Sequence, residues 1–374
     1  MRSSHSTDIT QVKDDFSLLE LMMDDLQKAD ALYRPTNYWQ YYENKLLPEL
    51  KNSGLTDFRR RRNSSLEAFT AVDLVEPLIS VSTRLKSRLL ANRICRRIPG
   101  WTAFWTWIAR QFADTQASVS GYLTEKRLRT LYFGYAEWLG SRAPHAKPLN
   151  SIGMSLAGNP EDVFEVDGRP YSISFVYQYL RYAFVSRHID FNDVKVYVEL
   201  GSGSGKQVEL LKKLHPDATF ILFDIPPQLY VAHQYLAEVF GADVVPYRHC
   251  RDLKTLANVE PGKIYILGTP QFPLLDTIAV DLFWNSASFQ EMEPFVVENY
   301  LNYVNRCARH VFLYELMMGQ ELAANPGEKG VLEGTTLENY QRYLPDFRLV
   351  EKELGLPFGD YTDAFWVRSA DGRS

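Results

Sequence analysis

The chain has 374 residues, 45% hydrophobic and 23% charged, with a formal net charge of -5 and a sequence pI of ≈ 5.9. This is the composition of a globular protein long enough for two domains, and its acidic balance excludes the broad basic field that draws in nucleic acid. Cys95, Cys250 and Cys307 lack metal-ligand spacing and suit reduced thiols in a cytoplasm, while no run approaches the ~18 apolar residues of a membrane span and no apolar leader opens the chain.

After a polar lead, Phe16 to Leu32 places apolar residues at helical spacing, and NYWQYYENKLLPEL continues the pattern. Leu66 to Leu90, Trp101 to Asp114 and Thr124 to Leu139 are further helical candidates. Residues 1–150 therefore read as a helical domain for substrate contact or for a homodimer through its helices. The proline-bearing SRAPHAKPLN marks the boundary. Beyond it, Asn159-Pro160 and Asp167-Gly168 are turn signals flanking a short hairpin, and Ser172 to Arg187 reads as an aromatic-rich helix.

From Val194 onward strands and helices alternate. Strands are expected at Val196 to Leu200, Phe220 to Phe223, Val280 to Trp284 and Val311 to Tyr314, with helices at Gln207 to Leu214, Pro227 to Phe240 and Pro294 to Cys307. Arg348 to Leu354 and Ala364 to Arg368 form a closing antiparallel pair. Such alternation predicts an α/β domain over residues 151–374, a doubly wound, mostly parallel Rossmann-like sheet with ligands at the carboxyl ends of its strands.

The richest segment is VYVELGSGSG. A β-branched run ends at Glu199, and Gly201, Gly203 and Gly205 let the backbone turn tightly before a helix begins. A dinucleotide fingerprint would place a further glycine at position 206, where Lys206 stands, and Glu199 would repel a pyrophosphate. The same carboxylate suits the ammonium and sulfonium of S-adenosylmethionine, so that cofactor is expected, with S-adenosylhomocysteine as product. Asp224, ending the next strand, can accept hydrogen bonds from ribose hydroxyls, a role shared with NAD enzymes. An NAD-dependent oxidoreductase is thus the alternative enzyme class, and a non-catalytic relative of the fold is a further one.

YVELGSGSGKQ, FDIPPQLYVAHQYL, DLFWNSASFQEME and SLAGNPEDVFEVDGRPYSISFVYQYLRY together resemble the class I S-adenosylmethionine-dependent methyltransferases, and within them a group of bacterial sugar O-methyltransferases. The resemblance covers residues 151–374 well and the helical part loosely. It implies a seven-stranded sheet with an antiparallel last pair, and methyl transfer to a sugar hydroxyl in glycan, nucleotide-sugar or natural-product assembly. An aromatic or polyketide acceptor is the alternative. The cofactor wall is then expected from Glu199, Gly201, Ser202, Gly203, Gly205 and Gln207, with Asp224 and Ile225 from the following strand. Between Asp224 and Val280 both VVPY and IYILGTPQF are candidates for the third strand; the second is preferred, adding Gly268, Thr269 and Gln271, and Asn285 joins them from the fourth.

A hydroxyl is a weak nucleophile at neutral pH, so the reaction calls for alignment and a base. Glu291, after the fourth strand, heads the candidates, with capping of the next helix as its plainer role; His249 is second, and His310 reads as structural. Ser288 and Gln290, with Asn285, are of the type that orients sugar hydroxyls. Tyr361 and Asp363, in GDYTDAFW with Asp360, would line the acceptor pocket. Asp276, Asp281, Glu291, Glu293 and Glu315 show no ligand spacing, so no metal is expected. Arg59 to Arg62 and the trio Arg93, Arg96 and Arg97 are solvated faces by default; the sharper expectation is that they hold phosphates of a phosphate-linked sugar.

Overall fold

The computed structural model describes residues 11–61, 64–69, 71–73, 119–355 and 360–369. Two helices come first, α1 (Phe16–Gln27) and α2 (Asn37–Ser53). Asp15 caps α1 by accepting from the Leu18 amide at 3.0 Å. Their apolar faces, including Leu19, Met22, Leu46 and Leu50, join Leu229, Tyr230 and Leu236 in one cluster, so these helices are spent on the chain's own core. Of the expected helix from Leu66, the described part opens as a 3-10 turn, Ser65–Phe69. Residues 71–73 of that candidate are not helical, and residues 70 and 74–90, the Trp101 to Asp114 candidate, Cys95, Arg62, Arg93, Arg96 and Arg97 lie outside the described residues. The last N-terminal candidate is α3 (Val119–Arg142).

The Asp-Gly signal is where the hairpin turns. β1 (Phe164–Val166) and β2 (Arg169–Tyr171) pair antiparallel around Asp167 at φ 50° and Gly168 at φ 74°, as a two-residue primed turn requires. Ser172 then caps α4 (Ile173–Val185), accepting from the Phe175 amide at 3.2 Å.

The main sheet contains β3 (Val196–Leu200), β4 (Thr219–Asp224), β5 (Val244–Val245), β6 (Ile264–Gly268), β7 (Val280–Ser286), β8 (Ala308–Glu315), β9 (Phe347–Leu354) and β10 (Thr362–Arg368). The order is β5-β6-β4-β3-β7-β8-β10-β9, and β10 runs antiparallel to both its neighbours while the rest are parallel. Eight strands stand where seven were expected, because both third-strand candidates form. The Ile264 segment pairs with β4, and two residues of VVPY add an outer edge. Connecting them are α5 (Lys206–Leu214), α6 (Pro226–Phe240), α7 (Tyr247–Cys250), α8 (Pro294–Cys307) and α9 (Leu337–Tyr343).

Alternation along the strands sends Tyr197, Phe220, Leu222 and Trp284 into one apolar cluster and Val198, Ile221, Phe223 and Phe283 into another on the opposite face. Helices cover both faces, which is why these strands are near-continuous apolar runs. The chain winds outward from β3 to β4 and β6, then returns to place β7 on the other side of β3. That reversal opens a crevice at the carboxyl ends of β3, β4 and β7.

Candidate active site

The glycine-rich turn lies at this crevice. Gly201 has φ +76°, a left-handed conformation, and a Cβ built on it would stand 2.2 Å from Ser288 Oγ. The Gly203 amide donates to Asp224 Oδ2 at 2.7 Å and the Ile225 amide to Oδ1 at 2.8 Å, tying the turn to the end of β4. Gly201→Ala is expected to strain the backbone and push Ser288 aside, costing about 1–2 kcal/mol of stability in denaturant titration.

Beneath the turn is a cavity of about 310 Å³. Glu199, Gln207, Gln178 and Arg181 contribute its polar wall, and Trp39, Phe69, Tyr177 and Tyr361 an aromatic one. A smaller recess of about 30 Å³ adjoins it, sharing Trp39, Gly201, Asp224 and Ser288 and adding Ile225, Thr269, Met292 and Tyr300. Residues Tyr33 to Thr36, ahead of α2, roof this recess, where Thr269 Oγ1 donates to the Tyr33 carbonyl at 2.7 Å.

The cavity concentrates buried acids. Burial pushes Glu199 up to about 8, partly offset by the Tyr197 hydroxyl donating to it at 3.2 Å. Burial likewise raises Asp224 to about 7 against its two backbone donors. Glu291 is held well above the ordinary carboxylate range by burial and then by the neighbouring Glu315 carboxylate. Glu315 itself, raised to about 8, accepts from the Ser288 and Gln290 amides at 3.3 and 3.1 Å and so pins the turn that carries Glu291.

Of the residues expected from the sequence, Glu199, Gly201, Ser202, Gly203, Gln207, Asp224, Ser288, Glu291 and Tyr361 line the larger cavity, and Ile225 and Thr269 the smaller. Others stand behind the wall. Gly205 caps α5 with its left-handed backbone. Asn285 donates to the Leu200 carbonyl at 2.8 Å and accepts from the Phe289 amide at 3.0 Å, which uses its side chain to fix the β7 turn. Gln290 donates to the Tyr361 hydroxyl at 2.9 Å and accepts from the Leu316 amide at 2.8 Å. Gln271 bridges the Gly268 amide and the Cys250 carbonyl, which places both Gln271 and Gly268 outside the cavity walls. Asp363 is buried in β10, also outside them, and burial raises it to about 7.

Two expectations are corrected. His249 is exposed on α7, beside the β5 edge, and lines neither cavity. Arg59 is not a surface phosphate clamp. It is 1% exposed, donating to Asp73 at 2.5 Å and to the Ser155 and Ala157 carbonyls, while Arg61 donates to the Ser53 and Gly54 carbonyls. His310 is structural, with Nδ1 2.9 Å from the Asp281 carbonyl.

Trp39, Phe69, Gln178, Arg181, Gln228 and the cavity-facing role of Lys206 were missed. Gln178 and Arg181 did carry a signal, a glutamine and an arginine one helical turn apart in a mostly apolar and aromatic helix; Trp39 carried none, since its partner is 252 positions away. Among the described residues no three potential metal ligands converge, and no helix is long and apolar enough to cross a membrane.

No family model and no curated protein matches the chain. Among solved structures it is similar to mitomycin 7-O-methyltransferase MmcR, at 12% identity over 85% of this chain and 76% of that one, TM-score 0.38. It is also similar to magnesium protoporphyrin IX methyltransferase from Synechocystis PCC 6803 with bound SAH, at 13% identity over 52% and 81% of the two chains, TM-score 0.36. The O-methyltransferase NcsB1 of neocarzinostatin biosynthesis, in complex with S-adenosylmethionine and 2-hydroxy-5-methyl naphthoic acid, matches at 13% identity over 53% and 56%, TM-score 0.37. At these scores it is the strand order and the site geometry that define the chain as a doubly wound α/β protein with its crevice at the glycine-rich turn.

Proposed function

We propose that the protein is an S-adenosylmethionine-dependent O-methyltransferase acting on a hydroxyl of a small acceptor. The observation that carries this reading is one cavity lined by Glu199, the glycine-rich turn, Asp224 and the buried carboxyl of Glu291. Buried polar atoms on its walls fit a polar ligand. Gln207 Oε1, both amide atoms of Gln228 and Arg181 Nε have no hydrogen-bond partner among the described residues. Lys206, at the position the dinucleotide fingerprint gives to glycine, is 5% exposed and bonded to Asp73, which disfavours the NAD alternative.

Glu199 would face the cofactor's ammonium, Arg181 and Gln207 its carboxylate, Asp224 the ribose hydroxyls, and Ile225, Thr269 and Tyr300 its base. When bound, S-adenosylmethionine would supply an activated methyl on sulfur for transfer to the acceptor oxygen, with S-adenosylhomocysteine as the product. Glu291, as its carboxylate, takes the hydroxyl proton as the oxygen bonds. The walls exclude water and hold the acceptor in line. Arg181→Met should remove a charge-assisted partner and weaken S-adenosylhomocysteine binding by roughly tenfold, measured by calorimetry.

For the acceptor, a sugar hydroxyl is the reading that the resemblance of the 151–374 segment supports. A phenolic or polyketide hydroxyl is the second, favoured by Trp39, Phe69, Tyr177 and Tyr361 on the wall and by the internal bonding of Asn285 and Gln290, which takes two sugar-orienting amides out of the cavity. Purified protein with labelled S-adenosylmethionine and a panel of both acceptor types tests the proposal. Label transfer to a hydroxyl is expected; binding of nicotinamide cofactor with no affinity for S-adenosylmethionine would overturn it.

A further inference from the structure

The carboxyl of Glu291 is not free in its cavity. Trp39, on the first turn of α2, donates its indole Nε1-H to Glu291 Oε2 at 2.9 Å, and both side chains are 7% exposed. The bond joins the N-terminal helical part to the turn after β7. Trp39 lines both the large cavity and the adjoining recess, so the indole stands where the two meet. Its own setting is rigid: Trp39 packs in tilted or edge-on contact with Tyr38, Tyr42 and Phe69, with ring centroids 5.6, 5.8 and 6.2 Å away.

We propose that Trp39 is a positioning residue for methyl transfer, its indole N-H holding one oxygen of Glu291 so that the other is presented, ionised, to the acceptor hydroxyl. This rests on the reading of Glu291 as the base. The geometry is that of a carboxylate orienter: an indole donates and cannot accept, so the bond favours the charged form of Glu291 over the protonated one. The need for such a donor is plain from the other groups around the carboxyl. Glu315 at the end of β8 and Asp224 at the end of β4 both oppose its ionisation, as does burial itself, and no cation stands among its largest influences. Tyr38, from α2, supports the charged form beside Trp39, and the Tyr361 hydroxyl lies close enough to be raised by Glu291 in turn. The base is therefore assembled from two distant parts of the chain, and a reactive site exists only with α2 docked.

The test is the pH dependence of kcat for Trp39→Phe, which keeps the ring and deletes the donor. Losing one hydrogen bond to the carboxylate should move the acid limb of kcat upward by about one pH unit, with activity recovering above that limb. A kcat lowered by the same factor at every pH, with the limb unmoved, would overturn the proposal, because a purely structural role has that signature. Should Glu291→Gln keep full activity, the base assignment and this inference fall together; a Glu291→Gln loss with an unmoved Trp39→Phe limb sinks only the inference. Where Trp39→Phe loosens α2, fluorotryptophan placed at position 39 keeps the indole. Its fluorine resonance should titrate with the midpoint of the acid limb and lose that titration in Glu291→Gln. A resonance that does not titrate overturns the proposal without any change of packing.

Discussion

Glu291→Gln is expected to lower kcat by roughly 10²- to 10⁴-fold, the range that a positioned general base contributes, while S-adenosylhomocysteine affinity stays near that of the parent. The asymmetry follows from where the side chain stands. Glu291 lines the cavity from the turn after β7 and is bonded to Trp39, whereas Glu199 and Gln207, which would meet the cofactor's methionyl end, come from β3 and α5. Glutamine keeps the length, and its amide oxygen can still accept from Trp39, so the turn pinned by Glu315 should hold. What it cannot do is take a proton. The pH profile sharpens the expectation, because a base must be ionised before it can act. Glu291 is raised above the ordinary carboxylate range, so kcat should climb with pH through that raised value and not through the usual acid range near 4. Steady-state rates from pH 5 to 9, beside calorimetric titration with S-adenosylhomocysteine, decide the matter. Equal losses in affinity and kcat would mean that Glu291 binds cofactor and does not act as base.

The glycine-rich wall of the cavity was legible in the sequence because its elements are local. Glu199, the turn glycines and Asp224 follow one another through a strand, a turn, a helix and a second strand, and each type has a backbone or charge reason to be there. The alternating elements likewise marked β3, β4, β6, β7 and β8 as strands of a mostly parallel sheet. What stayed hidden depends on long-range contact. Trp39 meets Glu291 through packing that no periodicity encodes, and Asn285 and Gln290 spend their amides on Leu200, Phe289, Tyr361 and Leu316, a use that composition cannot distinguish from sugar recognition. His249 was suggested by residue type alone, and exposure at the sheet edge removed it. The edge strand β5 escaped a definite assignment because a two-residue pairing leaves almost no pattern.

Arg59 shows the same limit most sharply. A run of arginines reads as solvent or phosphate chemistry, yet its first member is an internal anchor whose partner comes from residue 73. Asp73 is 1% exposed and takes Arg59 Nε at 2.5 Å, Lys206 Nζ at 3.2 Å and the Ser172 hydroxyl at 2.9 Å. One carboxylate thus ties the N-terminal segment to the cap of α4 and to the first residue of α5, the helix that follows the glycine-rich turn. Burial alone would raise the Asp73 carboxyl, but the Arg59 guanidinium and then Lys206 outweigh it and hold it below its ordinary value. Arg59 is the stronger partner, since burial draws the Lys206 ammonium down to about 8 despite Asp73.

Asp73→Asn should therefore leave two buried cations with only the more distant Glu209 as counter-charge and cost about 3–5 kcal/mol, a large share of the ~5–15 kcal/mol that keeps a typical protein folded. Denaturant titration at pH 7 reads that loss directly. Its pH dependence has a definite sign. A carboxyl with a depressed folded-state value contributes stability that is present above its ordinary value of 3.8 and disappears as pH falls through the lower folded one. Parent and variant should thus differ fully at neutral pH and converge only in acid below about pH 4. A neutral-pH difference under about 1 kcal/mol, the level of an exposed ion pair, would show that water reaches the cluster. The N-terminal segment would then be docked by its apolar contacts, and the glycine-rich turn would hold its shape without Asp73.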